Sequence, residues 1–377
     1  LPRFFTINYG TIHMWAYKNP VNVVFGTGAL DQISGLIAGR DYALVTYGEP
    51  VFRTIRERVE ASAGPAHAII DNITQNPDHQ ILEESCRVFG DVGEEIGVVV
   101  AVGGGSVIDA AKVVAASGGD FSAVRQYLET GGGAEALTEI PLIAVPTTSG
   151  TGSEVTCFAT VWDTDAQKKY SLNRPSLYPE HALVDPELML SAPRGLTVST
   201  GLDALSHSLE SIWNVNANPV SSALAVAAAS DVLDVLPVLA EDLGNLDYRT
   251  LMARAAMIAG LAFSNTKTAL AHSVSYPITL RHGVPHGIAC SFSLPMVMRW
   301  VSGADLDCDA SLKRIFGPDL AAGADRLEAF LQNLGIGTRP EEHGVKTDEW
   351  RRLVEEALAG ERGRNFLGDP ESVLGRL

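Results

Sequence analysis

One segment, from Ile96 to Lys112, constrains the fold of this 377-residue chain more than any other. The apolar run Ile96–Val102 has the length of a strand that is buried on both faces, and the glycine-rich turn Gly103–Ser106 follows it directly into a helical stretch. Glycines and a helix N-terminus together present backbone N–H groups and a positive dipole end to an anion. The segment therefore predicts an α/β fold with a phosphate-binding turn, although its spacing is not GxGxxG.

The secondary structure indicated by the sequence pattern changes near residue 190. Before it, strand-like runs alternate with helical stretches, which favours a doubly wound parallel sheet. The predicted strands are Val21–Phe25, Tyr42–Thr46, Ala66–Asp71 and Ile96–Val102. After it, strand-like runs nearly vanish, and the predicted helices are Thr200–Asn214, Pro219–Leu243, Leu246–Phe263, Thr266–Tyr276 and Pro285–Trp300. We predict an α/β domain over residues 14–190 and an all-helical domain over residues 191–377, with residues 1–13 a tag or an over-extended start before Met14.

The net charge of −17 argues against nucleic-acid or membrane-surface binding, because such an acidic chain repels phosphate backbones and anionic lipids. No apolar run is expected to reach the length of a membrane span, and no signal peptide is recognised. The four cysteines are widely spaced, so they are expected to pack as small apolar residues. These features predict a cytoplasmic protein.

A second polar loop, Pro146–Glu154, follows another strand-like run and is rich in hydroxyl groups and glycine. Hydroxyl groups at this density can donate to phosphates or to a ribose. Two such loops after two strands of one sheet meet at the carboxyl edge of the sheet, where nucleotides bind. Together the two loops predict a dinucleotide site.

The helical half holds a candidate metal site. Asp203 and His207 are spaced i, i+4, so both side chains project from one helix face. His272 and His286 follow, 14 residues apart. One carboxylate and three imidazoles are ligands that suit Fe(II) or Zn(II) rather than Ca²⁺ or Mg²⁺.

Five motifs in matching order resemble the iron-containing (group III) alcohol dehydrogenase family: GGGSVIDAAK, PTTSGTGSEVT, LVDPELM, GLDALSHSLE and the paired AH…PHG. The resemblance implies a Rossmann-like N-terminal lobe, an all-α C-terminal lobe, a homodimer, NAD(P)H as cofactor, and Fe(II), with Zn(II) as the alternative, on Asp203, His207, His272 and His286. Its cofactor-binding residues would be Gly103, Gly104, Gly105, Ser106, Asp109, Thr147, Thr148, Ser153 and Lys168.

The sequence departs from the family pattern at two places. Tyr276 stands where members often carry a second histidine, so proton delivery would use Tyr276, His282, a cofactor ribose or water. Members that prefer NAD often carry an aspartate just after the second strand, where this chain has Thr46, Tyr47 and Gly48, with Glu49 one step further. NADPH should therefore be tolerated.

Three basic side chains, Lys267, Arg281 and His282, flank the candidate metal ligands in sequence and suggest an anionic substrate group. The region also resembles the phosphonoacetaldehyde reductase branch of the family, which implies reduction of phosphonoacetaldehyde to 2-hydroxyethylphosphonate. Three alternatives remain open: a dehydrogenase of small neutral alcohols or diols, a lyase similar to dehydroquinate synthase, and a non-catalytic binding protein.

Overall fold

The structure, a computed structural model, describes residues 14–92, 96–166 and 168–377. A six-stranded parallel sheet forms the first half, in the order β1-β8-β5-β4-β2-β3. Two further strands, β6 and β7, pair with each other in an antiparallel hairpin. The strands are β1 (Asn22–Phe25), β2 (Tyr42–Val45), β3 (Ala68–Ile70), β4 (Val98–Gly103), β5 (Leu142–Pro146), β6 (Phe158–Asp163), β7 (Lys168–Asn173) and β8 (His181–Val184).

Within the described ranges, five α-helices accompany the sheet and ten follow it. The helices are α1 (Ile33–Ile37), α2 (Pro50–Ala63), α3 (His79–Gly90), α4 (Gly105–Ser117), α5 (Phe121–Thr130), α6 (Arg194–Ile212), α7 (Pro219–Glu241), α8 (Leu246–Thr266), α9 (Leu270–His282), α10 (His286–Ser291), α11 (Leu294–Val301), α12 (Leu306–Phe316), α13 (Leu320–Asn333), α14 (Thr347–Ala359) and α15 (Pro370–Leu374). The fold class expected from the sequence, a parallel-sheet lobe followed by a helical lobe, is confirmed.

The sheet is buried on both faces because side chains alternate along its strands. In β2, Tyr42 and Leu44 face a core that includes residues of α1 and α2. The intervening Ala43 and Val45 face a second core, formed with residues of α3, α4 and α5. Burial on both faces explains why these strands read as continuous apolar runs in the sequence.

The hairpin of β6 and β7 was not predicted, although it forms one wall of the cleft described below. The register of the hairpin pairs Asp163 with Lys168 and Phe158 with Asn173. Short strands of mixed polarity, such as KKYSLN, resemble loop sequence, because only Leu172 among these six residues is fully buried.

Helix α7 lies in the core of the helical half, where it packs against α6 and α8. Its length and composition would allow it to cross a membrane, so the expectation that no segment reaches that length is wrong. Asp231 and Asp234 interrupt the apolar run in the sequence but leave its average composition apolar. In the structure, residues such as Ala225, Ala229 and Leu236 are buried against the neighbouring helices.

The expectation for the cysteines is confirmed, since all four are buried free thiols. The predicted tag or over-extended start, residues 1–13, lies outside the described residues. The division into domains at residue 190 stays a prediction, although β8 ends at Val184 and α6 begins at Arg194.

Candidate metal centre and cofactor cleft

Asp203 lies at the centre of three imidazole rings. Its Oδ1 atom is 3.8 Å from Nε2 of His207, 3.3 Å from Nε2 of His272 and 3.9 Å from Nε2 of His286. Helix α6 supplies Asp203 and His207 one turn apart, α9 supplies His272, and α10 begins with His286. The structure thus brings together all four residues that the sequence proposed as ligands.

These separations fit a metal ion. Two ligand atoms that are each about 2.1 Å from an ion, at a tetrahedral angle, lie about 3.4 Å apart. Nε2 of His272 is buried without a hydrogen-bond partner among the described residues, as expected for an atom that binds an ion. The thiol of Cys290 belongs to the same cluster, because possible ligand atoms of Asp203, His272, His286 and Cys290 all lie within 4.8 Å of one another.

The protonation states of His207 and His286 also suit a metal. Burial lowers the pKa of His207 to about 4 and that of His286 to about 3, so both rings are neutral at pH 7 and offer a lone pair. Burial acts to raise the pKa of Asp203, but the facing imidazoles, His207 first among them, hold it below its ordinary value. Burial raises the pKa of the Cys290 thiol to about 11, so this group is a neutral thiol at pH 7.

A buried carboxylate, Glu210, orients His272. Its Oε2 atom lies 2.6 Å from Nδ1 of His272 and accepts from the backbone N–H of Ala269, while Oε1 accepts from the backbone N–H of His272. The negative charge therefore caps the N-terminus of α9. Because Nδ1 faces a carboxylate, Nδ1 carries the hydrogen and Nε2 is left free to face Asp203.

The glycine-rich turn forms the phosphate side of the cleft. Gly104 precedes the first turn of α4, and the absence of a side chain at Gly105 is required, since a Cβ there would lie 2.5 Å from Cγ2 of Thr151. Seven predicted cofactor residues line the cleft: Gly104, Gly105, Ser106, Asp109, Thr147, Thr148 and Ser153. Gly103 does not line it, because this residue ends β4 and packs against Val107.

Lys112, buried in α4, fixes the second polar loop to the first. Its Nζ donates to the carbonyl oxygens of Ser153 and Phe158 at 2.7 and 2.8 Å. The hydroxyl of Ser153 donates to Asp109 at 2.6 Å, so two predicted cofactor residues also bond to each other. The motif GGGSVIDAAK therefore supplies both the phosphate turn and the groups that hold the opposite loop in place.

Two adjoining cavities form a single cleft between the lobes. One, of about 530 Å³, contains the histidine cluster and the hairpin wall, and the other, of about 410 Å³, contains the end next to Tyr47 and Glu49. Both include Gly105, Ser106, Asp203 and His286. Their volumes are typical of small-molecule sites.

The basic residues of the cleft differ from those expected. Lys267 lines it and pairs with Glu361 at 3.5 Å, with backbone φ of 61° where α8 ends. Arg281 and His282 do not line it: they lie at the end of α9 and face Glu349, at 3.9 and 3.1 Å. These two residues follow one another at the C-terminus of the helix, away from the face that carries His272.

Lys168 is also displaced from its expected role. It is exposed at the start of β7, whereas its neighbour Lys169 lines the cleft, because successive side chains of a strand point to opposite faces. Nζ of Lys169 lies 3.9 Å from the centre of the Tyr276 ring. Lys169 rather than Lys168 therefore lines the cleft, and the cofactor role of Lys168 stays a prediction.

The ring of Tyr276 contacts both the histidine cluster and the cations of the cleft. Its ring stacks on His286 with centroids 5.6 Å apart, and the guanidinium carbon of Arg362 lies 4.9 Å from the ring centre. Sequence reasoning missed Arg362 because it lies 76 residues beyond the last histidine of the cluster, in a segment without a motif. It also missed Glu210, although this residue is one turn after His207 on α6.

Comparison with known proteins gives matches over both halves. Residues 20–186 match the family model described as iron-containing alcohol dehydrogenase, and residues 197–372 match the C-terminal model of the Fe-containing alcohol dehydrogenase family. NAD-dependent methanol dehydrogenase of Bacillus methanolicus is 32% identical over 365 residues, covering 90% of this chain and 92% of the relative.

Two other similar proteins act on aldehydes with an anionic head group, according to their names. Phosphonoacetaldehyde reductase of Streptomyces viridochromogenes is 38% identical over 208 residues, which cover 54% of this chain and 53% of the relative. The crystal structure of sulfoacetaldehyde reductase from Bifidobacterium kashiwanohense with NAD⁺ has a TM-score of 0.88 and 28% identity, covering 97% of this chain and 98% of that one.

Proposed function

Because the chain belongs to the iron-containing alcohol dehydrogenase family, we propose that it is a metal-dependent, NADH-dependent reductase that converts phosphonoacetaldehyde to 2-hydroxyethylphosphonate. The substrate assignment is based on a pair of cations, Lys169 and Arg362, which lie in the cleft beside the histidine cluster. In a chain of net charge −17, such a pair favours an anionic ligand.

Asp203, His207, His272 and His286 would hold the metal, either Fe(II) or Zn(II). When bound, the metal supplies Lewis acidity that polarises the aldehyde carbonyl, and the nicotinamide supplies the hydride. The residues of the chain orient the aldehyde between the two lobes and restrict water.

The glycine turn at Gly104–Ser106 would bind the pyrophosphate of the cofactor through backbone N–H groups. NADH is proposed rather than NADPH, which differs from the sequence-based expectation. Glu49 lines the end of the cleft near Tyr47, and the described residues of that end include no Lys or Arg. A 2′-phosphate placed there would meet a carboxylate without a compensating cation.

Tyr276 is the proposed proton donor to the alkoxide oxygen. Its ring lies on His286, whereas His282 is turned toward Glu349 outside the cleft. Loss of solvent acts to raise the pKa of Tyr276, but the positive charges of Arg362 and Lys169 lower it, which makes the hydroxyl a better acid. The homodimer and the cytoplasmic location stay predictions.

An anaerobic assay of the Fe(II)-loaded enzyme tests the proposal by following NADH and NADPH loss with phosphonoacetaldehyde and with butanal. We expect kcat/KM to be at least about tenfold higher with phosphonoacetaldehyde, since charge-assisted hydrogen bonds to its head group contribute roughly 1.5–3 kcal/mol each. We also expect one NADH consumed per aldehyde reduced. Equal kcat/KM values would reject the phosphonate, and turnover without net NADH loss would favour the lyase.

A further inference from the structure

Among the described residues, the two cations above Tyr276 have no carboxylate partner. Neither Lys169 nor Arg362 forms an ion pair within that part of the chain, although acidic residues outnumber basic ones by 45 to 28 in the full sequence. Both side chains are half-buried, and the loss of solvent around Lys169 lowers the pKa of its amino group, with Arg362 adding to the effect. Two adjacent, partly desolvated cations repel one another, and an anion between or beside them would offset this repulsion.

The other cations near the histidine cluster are already paired. Lys267 lies 3.5 Å from Glu361, and Arg281 lies 3.9 Å from Glu349. Arg281 is, in addition, outside the cleft. Neither therefore competes with Arg362 as the primary contact for an anionic ligand.

The segment that carries Arg362 is fixed firmly in place. The backbone N–H of Val215 donates to the carbonyl oxygen of Asn365 at 2.8 Å, and the Asn365 side chain donates to the carbonyl oxygen of Thr268 at 2.9 Å. Gly363 packs against the end of α14 so closely that a Cβ there would lie 1.9 Å from the carbonyl oxygen of Ala357. The guanidinium group is thus presented to the cleft by a turn tied to the loops after α6 and α8.

From this arrangement we infer that Arg362 is the specificity-determining residue of the enzyme, and that it binds the tetrahedral oxyanion head group of the aldehyde, with Lys169 adding positive potential. The inference rests on the proposed function. A planar guanidinium group can donate two parallel hydrogen bonds to a phosphonate or sulfonate. Arg362 and His286 both contact the Tyr276 ring and line the same cavity, so an aldehyde whose carbonyl is at the histidine cluster would have its head group near Arg362.

The test compares Arg362→Ala with Arg364→Ala, a control on the same turn whose exposed side chain does not line the cleft. We expect Arg362→Ala to lower kcat/KM for phosphonoacetaldehyde by about 10- to 100-fold, mainly through KM, because the hydrogen bonds lost are charge-assisted. Butanal has no group for Arg362 to bind, so its KM should change less than about threefold in Arg362→Ala, and any loss of kcat through Tyr276 should be shared by both aldehydes. Arg364→Ala should leave the reduction of both aldehydes unchanged. An equal loss with both aldehydes would overturn the inference.

Ethylphosphonate separates the role of Arg362 from the choice of natural substrate, because it inhibits butanal reduction only if an anion site exists. Inhibition of the wild type that weakens about 10- to 100-fold in Arg362→Ala and is kept in Arg364→Ala would support the anion site even if phosphonoacetaldehyde proves a poor substrate. Inhibition that is unchanged in Arg362→Ala would reject the site, even with phosphonoacetaldehyde as the substrate. Parallel assays with sulfoacetaldehyde tell whether the site prefers a sulfonate or a phosphonate.

Discussion

At the residue scale, Glu210 determines how His272 meets the proposed metal. The carboxylate is fully buried, contacts Nδ1 of His272 and accepts from the first backbone N–H groups of α9. Its pKa stays below the ordinary value despite burial, because His272 and these backbone donors favour the charged form. A carboxylate behind a ligating imidazole fixes the tautomer and raises the basicity of the ligand.

We expect Glu210→Gln to weaken Zn(II) binding by about 10- to 100-fold, because loss of such a partner typically has an effect of this size. Competition with a chromogenic chelator measures the affinity without reference to activity. Ser208→Ala is the matched control, since Ser208 is buried on the same helix and its hydroxyl donates to the carbonyl oxygen of Ala204. Equal Zn(II) affinity in the two variants would contradict the role of Glu210.

The residues that could be predicted are those whose chemistry is local in sequence. The i, i+4 spacing of Asp203 and His207 predicts that both side chains lie on one face of a helix. The buried strand before the glycine turn predicts that the turn lies at the edge of the sheet. Arg362 and Lys169 could not be predicted in the same way, because only the folded chain brings β7 and the turn after α14 to one tyrosine. Arg281 and His282 illustrate the same limit: they are close to His272 and His286 in sequence, but both face Glu349 and do not line the cleft.

At the element scale, the close contact between α10 and α6 fixes the position of His286. Gly287 lies so near α6 that a Cβ there would be 1.8 Å from the carbonyl oxygen of Ser199. This oxygen belongs to the backbone of α6, so it cannot move aside as the end of a flexible side chain can. The glycine after His286 is therefore required by packing rather than by its own backbone conformation.

Gly287→Ala should force α10 away from α6, destabilise the protein by roughly 1–3 kcal/mol and displace His286. Urea denaturation and Zn(II) affinity measure the two effects. Gly195→Ala is the control: this residue is also helical, a Cβ added to it would meet no described heavy atom within 4 Å, and alanine should be neutral or stabilising by up to about 1 kcal/mol. An unchanged Zn(II) affinity in Gly287→Ala would show that His286 is positioned by other contacts.

The prediction of secondary structure was most accurate where burial on both faces gives a strand a continuous apolar sequence. The four predicted strands match β1, β2, β3 and β4 to within about two residues at each end, as is usual for boundaries. The predicted helix Pro285–Trp300 is instead two helices, α10 and α11, separated at residues 292–293. Pro295, in the first turn of α11, is the sequence signal for this break that the prediction did not use.

At the scale of the whole molecule, the site exists only where the two lobes meet. The glycine turn and Asp109 come from the sheet lobe, whereas the histidine cluster comes from α6, α9 and α10. The order of the two lobes in the chain, the sheet lobe first and the helical lobe second, could be predicted from the pattern of strand-like runs and helical stretches. The depth of the cleft and the hairpin that closes it were not, because both depend on packing between residues far apart in sequence.

A metal bound by Asp203, His207, His272 and His286 would connect three helices, so it should stabilise the whole helical lobe. A ligand that binds only the folded state, at a free concentration about 100 times its Kd, adds about 2.7 kcal/mol to the free energy of unfolding. We expect Zn(II) or Fe(II) to raise the Tm of the chelator-treated protein by a few degrees, measured by calorimetry. His272→Ala should abolish the rise, because one of the four ligands is lost, while His67→Ala, in the sheet lobe, should keep it. A rise that persists in His272→Ala would place the stabilising metal elsewhere and remove the basis for the proposed reduction chemistry.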